Sequence, residues 1–242
     1  MDDEALFQRV LMAGVDRADV TYYREQAESV DGPALEVACG TGRVTLPLLD
    51  AGIDIDGFDI STAALSVLRD DAEARGLDPT VWQADMREFA VDREYSLVYC
   101  PFNAFQHMLT VEDQLAALRA IHDALGPDGR FVFEVFVPSF DLICEGYGAW
   151  EEQSVSLEGT QYELRTRTRV VDEVDQLLRV ENELYEAGTK RYESSHRVTM
   201  LPPQHVELLA QQSPFSEWSV TGTYDGNNLE DGHPKQVWTF EV

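Results

Sequence analysis

Glu36, Asp59 and Asp85 are three carboxylates set within or just behind short apolar runs, where a charge is costly unless something cationic or polar meets it. Glu36 interrupts the run at residues 34–38 and makes sense opposite a cationic group of a ligand. Asp59 closes a second run, residues 53–59, and stands 19 residues after Gly40. An acidic side chain at that remove suits two ribose hydroxyls, because one carboxylate accepts from both. The blander reading, a solvated strand-end carboxylate, fits that spacing less well. Asp85 follows a third run, residues 80–83, inside QADMREF. Behind a fourth run, residues 95–99, comes Cys100-Pro101-Phe102-Asn103-Ala104-Phe105-Gln106-His107. Ligands of open α/β sheets bind beyond the carboxyl ends of the strands. Asn103 and His107 are therefore the candidates for contact with the reacting substrate, although a lone histidine is more often structural.

These groups need a strand, a tight glycine turn and a helix to position them, and residues 33–51 supply that order. The apolar run breaks into Cys39-Gly40-Thr41-Gly42, and Val44, Leu48 and Ala51 then recur at helical spacing. Glycine serves where backbone turns sharply or a ligand comes within contact distance, and the amides opening the next helix offer donors. The third glycine of the dinucleotide fingerprint is missing, since Thr45 occupies its place. That omission counts against a nicotinamide or flavin cofactor. Ser61 reads as the N-cap of a helix carrying Leu65, Leu68 and Ala72, stopped at Gly76. Thr110-x-x-Asp113 reads as a capping box ahead of Leu115, Leu118, Ile121 and Leu125, with LGPDGR turning the chain into a fifth strand at residues 131–137.

LEVACGTGR resembles the first motif of class I S-adenosylmethionine-dependent methyltransferases, and QADMREF and LGPDGRFVFEV resemble two later stretches of that family. The resemblance implies an α/β fold with a Rossmann-like seven-stranded sheet whose last strand is antiparallel. It implies S-adenosyl-L-methionine as cofactor and S-adenosyl-L-homocysteine as product. Carried over motif by motif, it assigns Glu36 to the methionyl amino end and Ala38, Cys39, Gly40, Thr41, Gly42 and Arg43 to the cofactor edge. Asp59 falls to the ribose, Asp85 and Met86 to the adenine, Pro101 to the methionine side, and Ile60 to the cofactor as a whole. Residues 1–30 read as one or two helices, either covering the sheet edge or forming a lid from which Tyr22 or Tyr23 reaches the ligand.

From Ser139 the pattern changes. Period-two alternation runs through three segments between residues 160 and 200, with turns near Asp172-Glu173 and Ala187-Gly188. This describes antiparallel strands with one wet face, whose arginines can pair across to glutamates. The organisation expected is a helical lid at residues 1–30, a core at 31–144 and 201–242, and an antiparallel β insertion at 145–200. The insertion reads either as a cap over the acceptor, with Tyr147, Trp150, Arg167 or His196 selecting it, or as a dimer surface with open edges.

The chain has 242 residues, 45 acidic against 18 basic, and a formal charge of −27. Such a surface repels phosphate backbones and anionic membranes, so neither nucleic acid nor membrane is an expected partner. Its two lysines and many carboxylates suggest a halophilic type of protein. Three cysteines show no metal-ligand spacing and fit reduced thiols in a cytoplasm; no metal site is expected. The function expected is methyl transfer to a nitrogen or oxygen of a small-molecule acceptor by a monomer or homodimer. The rivals are a non-catalytic S-adenosylmethionine-binding protein and, against the missing glycine, an NAD(P)-dependent oxidoreductase.

Overall fold

Ala34–Val37 (β1) is buried at all four positions, and a strand covered on both faces belongs in the middle of its sheet. It pairs in parallel with Ile55–Asp59 (β2) on one side and Tyr95–Cys100 (β4) on the other. Thr80–Gln83 (β3) continues beyond β2, and Leu125–Phe136 (β5) beyond β4. Lys235–Glu241 (β11) runs antiparallel to β5, and Glu217–Thr221 (β10) antiparallel to β11. The order is β10-β11-β5-β4-β1-β2-β3, the seven-stranded sheet expected. The connections leave β1 towards β3 in one direction and return through β4 and β5 in the other. The carboxyl ends of β1 and β4 therefore flank a crevice.

The computed structural model describes residues 3–14 and 18–242. No helix among them is long and apolar enough to cross a membrane. Helices follow the signals in the chain. Thr62–Arg75 (α4) opens on Ser61, whose hydroxyl accepts from Ala64 N at 3.2 Å, and closes on Gly76 at φ 69°. Val111–Ala124 (α5) opens on Thr110, whose hydroxyl accepts from Asp113 N at 3.1 Å. Ala18–Glu28 (α2), Thr45–Asp50 (α3) and Pro203–Gln212 (α7) complete this first body. Its core centres on Phe58, Phe131, Phe133, Trp238 and Phe240, all fully buried. The fifth strand begins directly at Leu125, not after a turn at residues 126–130, because pairing with β4 resumes across a register shift between Tyr95 and Leu97.

Described residues 3–14 and 138–200 form a separate body. Glu151–Leu157 (β6), Thr160–Asp172 (β7), Leu177–Glu186 (β8) and Thr189–Thr199 (β9) make one antiparallel sheet in sequence order. Asp3–Ala13 (α1) lays Leu6, Phe7 and Val10 against Val155, Leu164 and Leu184. Phe140–Glu145 (α6) precedes the sheet. Alternation indicated three strands here, and the structure has four. The first, EEQSVSL, buries Val155 alone and so carries almost no pattern. The body divides from the rest at Pro138 rather than at residue 145. The first thirty residues hold two helices, within the one or two expected, but they part company: α1 joins this sheet, while α2 joins the seven-stranded one.

Candidate active site

The glycine turn owes its shape to three consecutive demands on the backbone. Ala38, Gly40 and Gly42 all have positive φ, at 59°, 54° and 80°. A Cβ on Gly42 would lie 2.7 Å from Leu68 and 2.8 Å from Leu46, so this glycine is required by packing. A Cβ on Gly40 would meet nothing nearer than Asp59 Oδ2 at 4.0 Å. Gly40 therefore faces open space, as backbone does where a ligand is to approach. The amides of the turn are less available than the sequence suggested. Gly40 N donates to Asp59 Oδ2 at 2.8 Å, and Gly42 N donates to Cys39 O at 2.9 Å. The following helix has only six residues.

Asp59 is drawn to that turn by the pairing of β1 with β2. Its other oxygen accepts from Ser61 N at 2.7 Å. Burial raises its pKa, and the two backbone donors pull it down. Ala84 N donates to Asp59 O at 3.2 Å, bringing the end of β3 alongside. Asp85 is held by Arg87, which donates from Nη2 at 2.6 Å and from Nε at 2.9 Å and also reaches Asp113 at 3.0 Å. These bonds hold Asp85 below the usual carboxylate range. A carboxylate has about four acceptor positions, so adenine contact has to use those left over. Met86 beside it is buried, while Ile60 is 64% exposed over the crevice.

Glu36 is the costliest group in the site. It is 2% exposed in the middle of β1. Thr45 Oγ1 donates to its Oε2 at 2.5 Å and Tyr99 Oη at 3.2 Å. Burial, opposed by these bonds and by Arg43, pushes the Glu36 carboxyl up to about 8. Arg43 does not turn to Glu36 directly. Its guanidinium forms a buried bidentate pair with Asp19 of α2, at 2.7 Å through Nη1 and also through Nη2. It stacks over Phe102 with 5.1 Å to the ring centroid. Arg43 thus ties α2, the glycine turn and the loop after β4 together.

That loop is strained. Phe102 and Asn103, both L-residues, lie in the left-handed region at φ 56° and 60°. Such consecutive residues each cost of order 1–3 kcal/mol and persist where surroundings hold them. Here Glu134 of β5 accepts from Phe102 N at 2.9 Å. Asn103 is an apt residue for the conformation. His107, at the end of the short helix Ala104–His107, is exposed to solvent on one side. Crowding still pushes its pKa down while Asp59 pulls it up, so the structure brings His107 towards the Asp59 side. Pro101, Cys39 and Cys100 are buried, and burial pushes both thiols up.

A second polar cluster escaped the sequence reading. Glu134 also accepts from Tyr224 Oη at 2.5 Å and from Lys235 Nζ at 3.0 Å. Tyr224 stacks on Tyr22, 4.9 Å between centroids, and carries Lys235 over its ring at 4.0 Å. Tyr23 packs on Tyr99 at 4.7 Å, and its buried hydroxyl has no partner among the described residues. An orphaned donor of that kind costs about 1–3 kcal/mol. Tyr22 was anticipated; Glu134 and Lys235 were not. They sit on apolar strands buried at consecutive positions, where no pattern singles out a polar residue, and 90 residues separate Glu134 from Tyr224. Tyr147, Trp150, Arg167 and His196 all lie in the other body, where Arg167 packs over the Trp150 ring at 4.4 Å.

The groups of the first body form one row along the strand ends: Asp85, Asp59 with Ile60, Gly40 with Glu36, then Phe102 and Glu134. A buried carboxylate short of a cation, a glycine facing open space and a strand-end carboxylate 2.8 Å from that glycine's amide fit a nucleoside joined to an amino acid. The fold is the Rossmann-like sheet seen in methyltransferases, and the row suits a nucleoside. A family model for a methyltransferase domain matches residues 34–129. Over 206 residues the chain is 29% identical to dTDP-3-amino-3,6-dideoxy-alpha-D-glucopyranose N,N-dimethyltransferase of Streptomyces fradiae, covering 83% of this chain and 76% of that one. A S-adenosylmethionine-dependent methyltransferase from Clostridium acetobutylicum superposes with a TM-score of 0.80 at 16% identity, covering 98% and 96% of the two chains. An amino pentose methyltransferase from Micromonospora echinaspora, solved with S-adenosylmethionine bound, superposes with a TM-score of 0.69 at 22% identity, covering 94% and 93%. Residues 34–129 match a methyltransferase domain, and with the relatives this supports S-adenosylmethionine-dependent methyl transfer as the activity and S-adenosylmethionine as the cofactor.

Proposed function

We propose that this enzyme methylates an amine of a small polar acceptor, in the class of amino sugars. S-adenosylmethionine, when bound, supplies an electrophilic methyl group on a sulfonium, and the acceptor's lone pair displaces S-adenosylhomocysteine from it. Glu36 takes the ammonium end of the cofactor, Asp59 the ribose, and Asp85 with Met86 the adenine edge, with Ile60 covering it. Gly40 lets the backbone approach closely. Arg43 acts by position, holding α2 and the post-β4 loop against the turn through Asp19 and Phe102.

The observation that carries the amine reading is Glu134, a buried carboxylate on β5 that anchors the loop facing the reacting methyl. With Tyr22 and Tyr224 it makes an aromatic end to the crevice, its carboxylate balanced by Lys235, and ring faces of this kind suit a basic nitrogen better than a hydroxyl. An ammonium acceptor must lose a proton before it can attack, and the Glu134–Tyr224 pair gives that proton a place to go. Asn103 and His107 line the approach from the loop side. The similarity to an amino-sugar N,N-dimethyltransferase supports the same acceptor class. The enzyme works in the cytoplasm with its three cysteines reduced, as a monomer or homodimer.

The test is S-adenosylhomocysteine release across a panel of amino sugars, free and nucleotide-linked, beside their hydroxyl counterparts and simple phenols. Turnover of amines with the paired hydroxyl compounds inert is the expected result. Preferential methylation of hydroxyls would overturn the amine reading. Slow release with every acceptor would favour a non-catalytic binder.

A further inference from the structure

The four-stranded sheet has two unlike faces. One is covered by α1 through Leu164, Leu184 and Val155. The other carries the alternate residues, whose register is unusual for so acidic a chain. Arg169 lies directly opposite Arg179, and Arg179 directly opposite Arg197, so three arginines stand side by side across β7, β8 and β9. Like charges opposed in this way destabilise a sheet. On the adjacent rung of the same face, Arg167 is opposite Glu181. Glu181 receives Arg167 at 3.1 Å and Arg169 at 2.7 Å, so one carboxylate serves two guanidiniums. Arg179 and Arg197 are in no ion pair among the described residues, and Arg169 Nε is buried with no acceptor. On these two rungs four guanidiniums thus face one carboxylate, while further along the same face Arg165 and Lys190 are paired with Glu163, Glu183 and Glu193.

We propose that the Arg169–Arg179–Arg197 row is an oxyanion site that takes a phosphate-bearing ligand, with a diphosphate as its natural fit. Neighbouring strands lie about 4.8 Å apart, so the row spans roughly 10 Å at the backbone. A lone carboxylate would meet one guanidinium of such a row. A diphosphate, with several charged oxygens spread over neighbouring phosphorus centres, can engage forked donors on two or three strands at once. Trp150, whose ring packs on Arg167, gives the row a flat apolar end. Direct contacts of this kind persist in concentrated salt, where the Debye length shrinks to about 3 Å at 1 M and longer-range attraction is lost.

The experiment is calorimetric titration of the full chain at constant ionic strength in phosphate-free chloride buffer, with inorganic pyrophosphate and, separately, thymidine 5′-diphosphate. Arg179→Gln and Arg197→Gln are compared with wild type, and Arg24→Gln, which loses an exposed pair with Glu28 elsewhere, is the control. Saturable binding by wild type, weakened at least tenfold in both row variants and unchanged in the control, is the expected result. Wild type should gain thermal stability from pyrophosphate, and Arg179→Gln should match or exceed wild-type stability without it, because a repulsion has been removed. Equal affinity for the two probes would assign the site to a free anion, and a tenfold preference for the nucleotide would assign it to a nucleotide-linked group. S-adenosylhomocysteine affinity, measured on the same samples, stays constant and keeps this site separate from the methyl-transfer reading. No saturable binding of either probe, or equal weakening by Arg24→Gln, would overturn the proposal.

Discussion

Glu36→Gln separates what a buried carboxylate costs the fold from what it does for the ligand. Burial pushes the Glu36 carboxyl from 4.5 up to about 8. Between those values the native chain holds a proton that the unfolded chain has released. Stability therefore falls as pH rises through that window and levels off above it. The slope for one proton is about 1.4 kcal/mol per pH unit, which accumulates to roughly 5 kcal/mol by the upper end. Glutamine keeps the shape, its carbonyl still accepts from Thr45 and Tyr99, and it does not titrate. The variant should gain on wild type by about 1.4 kcal/mol per pH unit from about pH 5 to about pH 8 and hold a constant lead above. At about 2–4 °C per kcal/mol for a chain of this size, that is ~3–6 °C in Tm per pH unit.

The assay is thermal melting of both proteins over that range in fixed potassium chloride, repeated with S-adenosylmethionine. The ligand arm has the opposite sign. An ammonium seated at Glu36 favours the ionised carboxylate, so wild-type affinity should rise about tenfold from pH 6 to pH 7, where a free α-amino group is still largely charged. The variant should bind far more weakly, with no such rise. A stability difference independent of pH would mean that Glu36 is not the titrating group. A variant that binds S-adenosylmethionine as tightly as wild type would remove the ammonium from this place in the site.

Three further outcomes can be checked with simple measurements. Gly42→Ala drives a Cβ to 2.7 Å from Leu68 and should cost about 2–4 kcal/mol of stability. Gly40→Ala has room for its Cβ, should cost only about 1 kcal/mol, and should show its effect in cofactor affinity; equal melting temperatures for the two variants would contradict the distinction. Tyr224→Phe removes the phenol from Glu134 and should lower kcat for the acceptor while leaving S-adenosylhomocysteine affinity unchanged; an unaltered kcat would take the Glu134–Tyr224 pair out of the reaction. Screening of a −27 surface should raise Tm as potassium chloride is increased to multimolar levels; a maximum in dilute buffer would rule out the halophilic reading.

The turn and strand ends proposed for the cofactor were legible because their geometry is written in local backbone. Gly40 and Gly42 mark a turn that only such residues make, and Asp59 stands a fixed distance along a strand–helix–strand unit. The caps at Ser61 and Thr110 were equally readable, since a capping hydroxyl meets an amide only three residues on. What pattern misjudged was the state of these groups. Spacing located Arg43 in the glycine turn but not its pairing with Asp19, 24 residues earlier in α2.

The cluster proposed for the acceptor was hidden for the same physical reason carried further. Glu134 reads as one more residue of an apolar strand until β11 is laid antiparallel beside β5, opposing Val237 to Glu134 and putting Lys235 one rung further along. Only then does a carboxylate acquire a cation at 3.0 Å, 101 residues away, and a phenol from the loop before β11. The arginine row is hidden in the same way. Arg169, Arg179 and Arg197 look like the wet sides of three separate strands, and only the antiparallel register lines them up. In this chain, then, the groups proposed for the shared cofactor are placed by contacts close in sequence. What would choose an acceptor is set by strand pairing, so a shift of register in β11 or β9 could change substrate choice while leaving every recognisable motif intact.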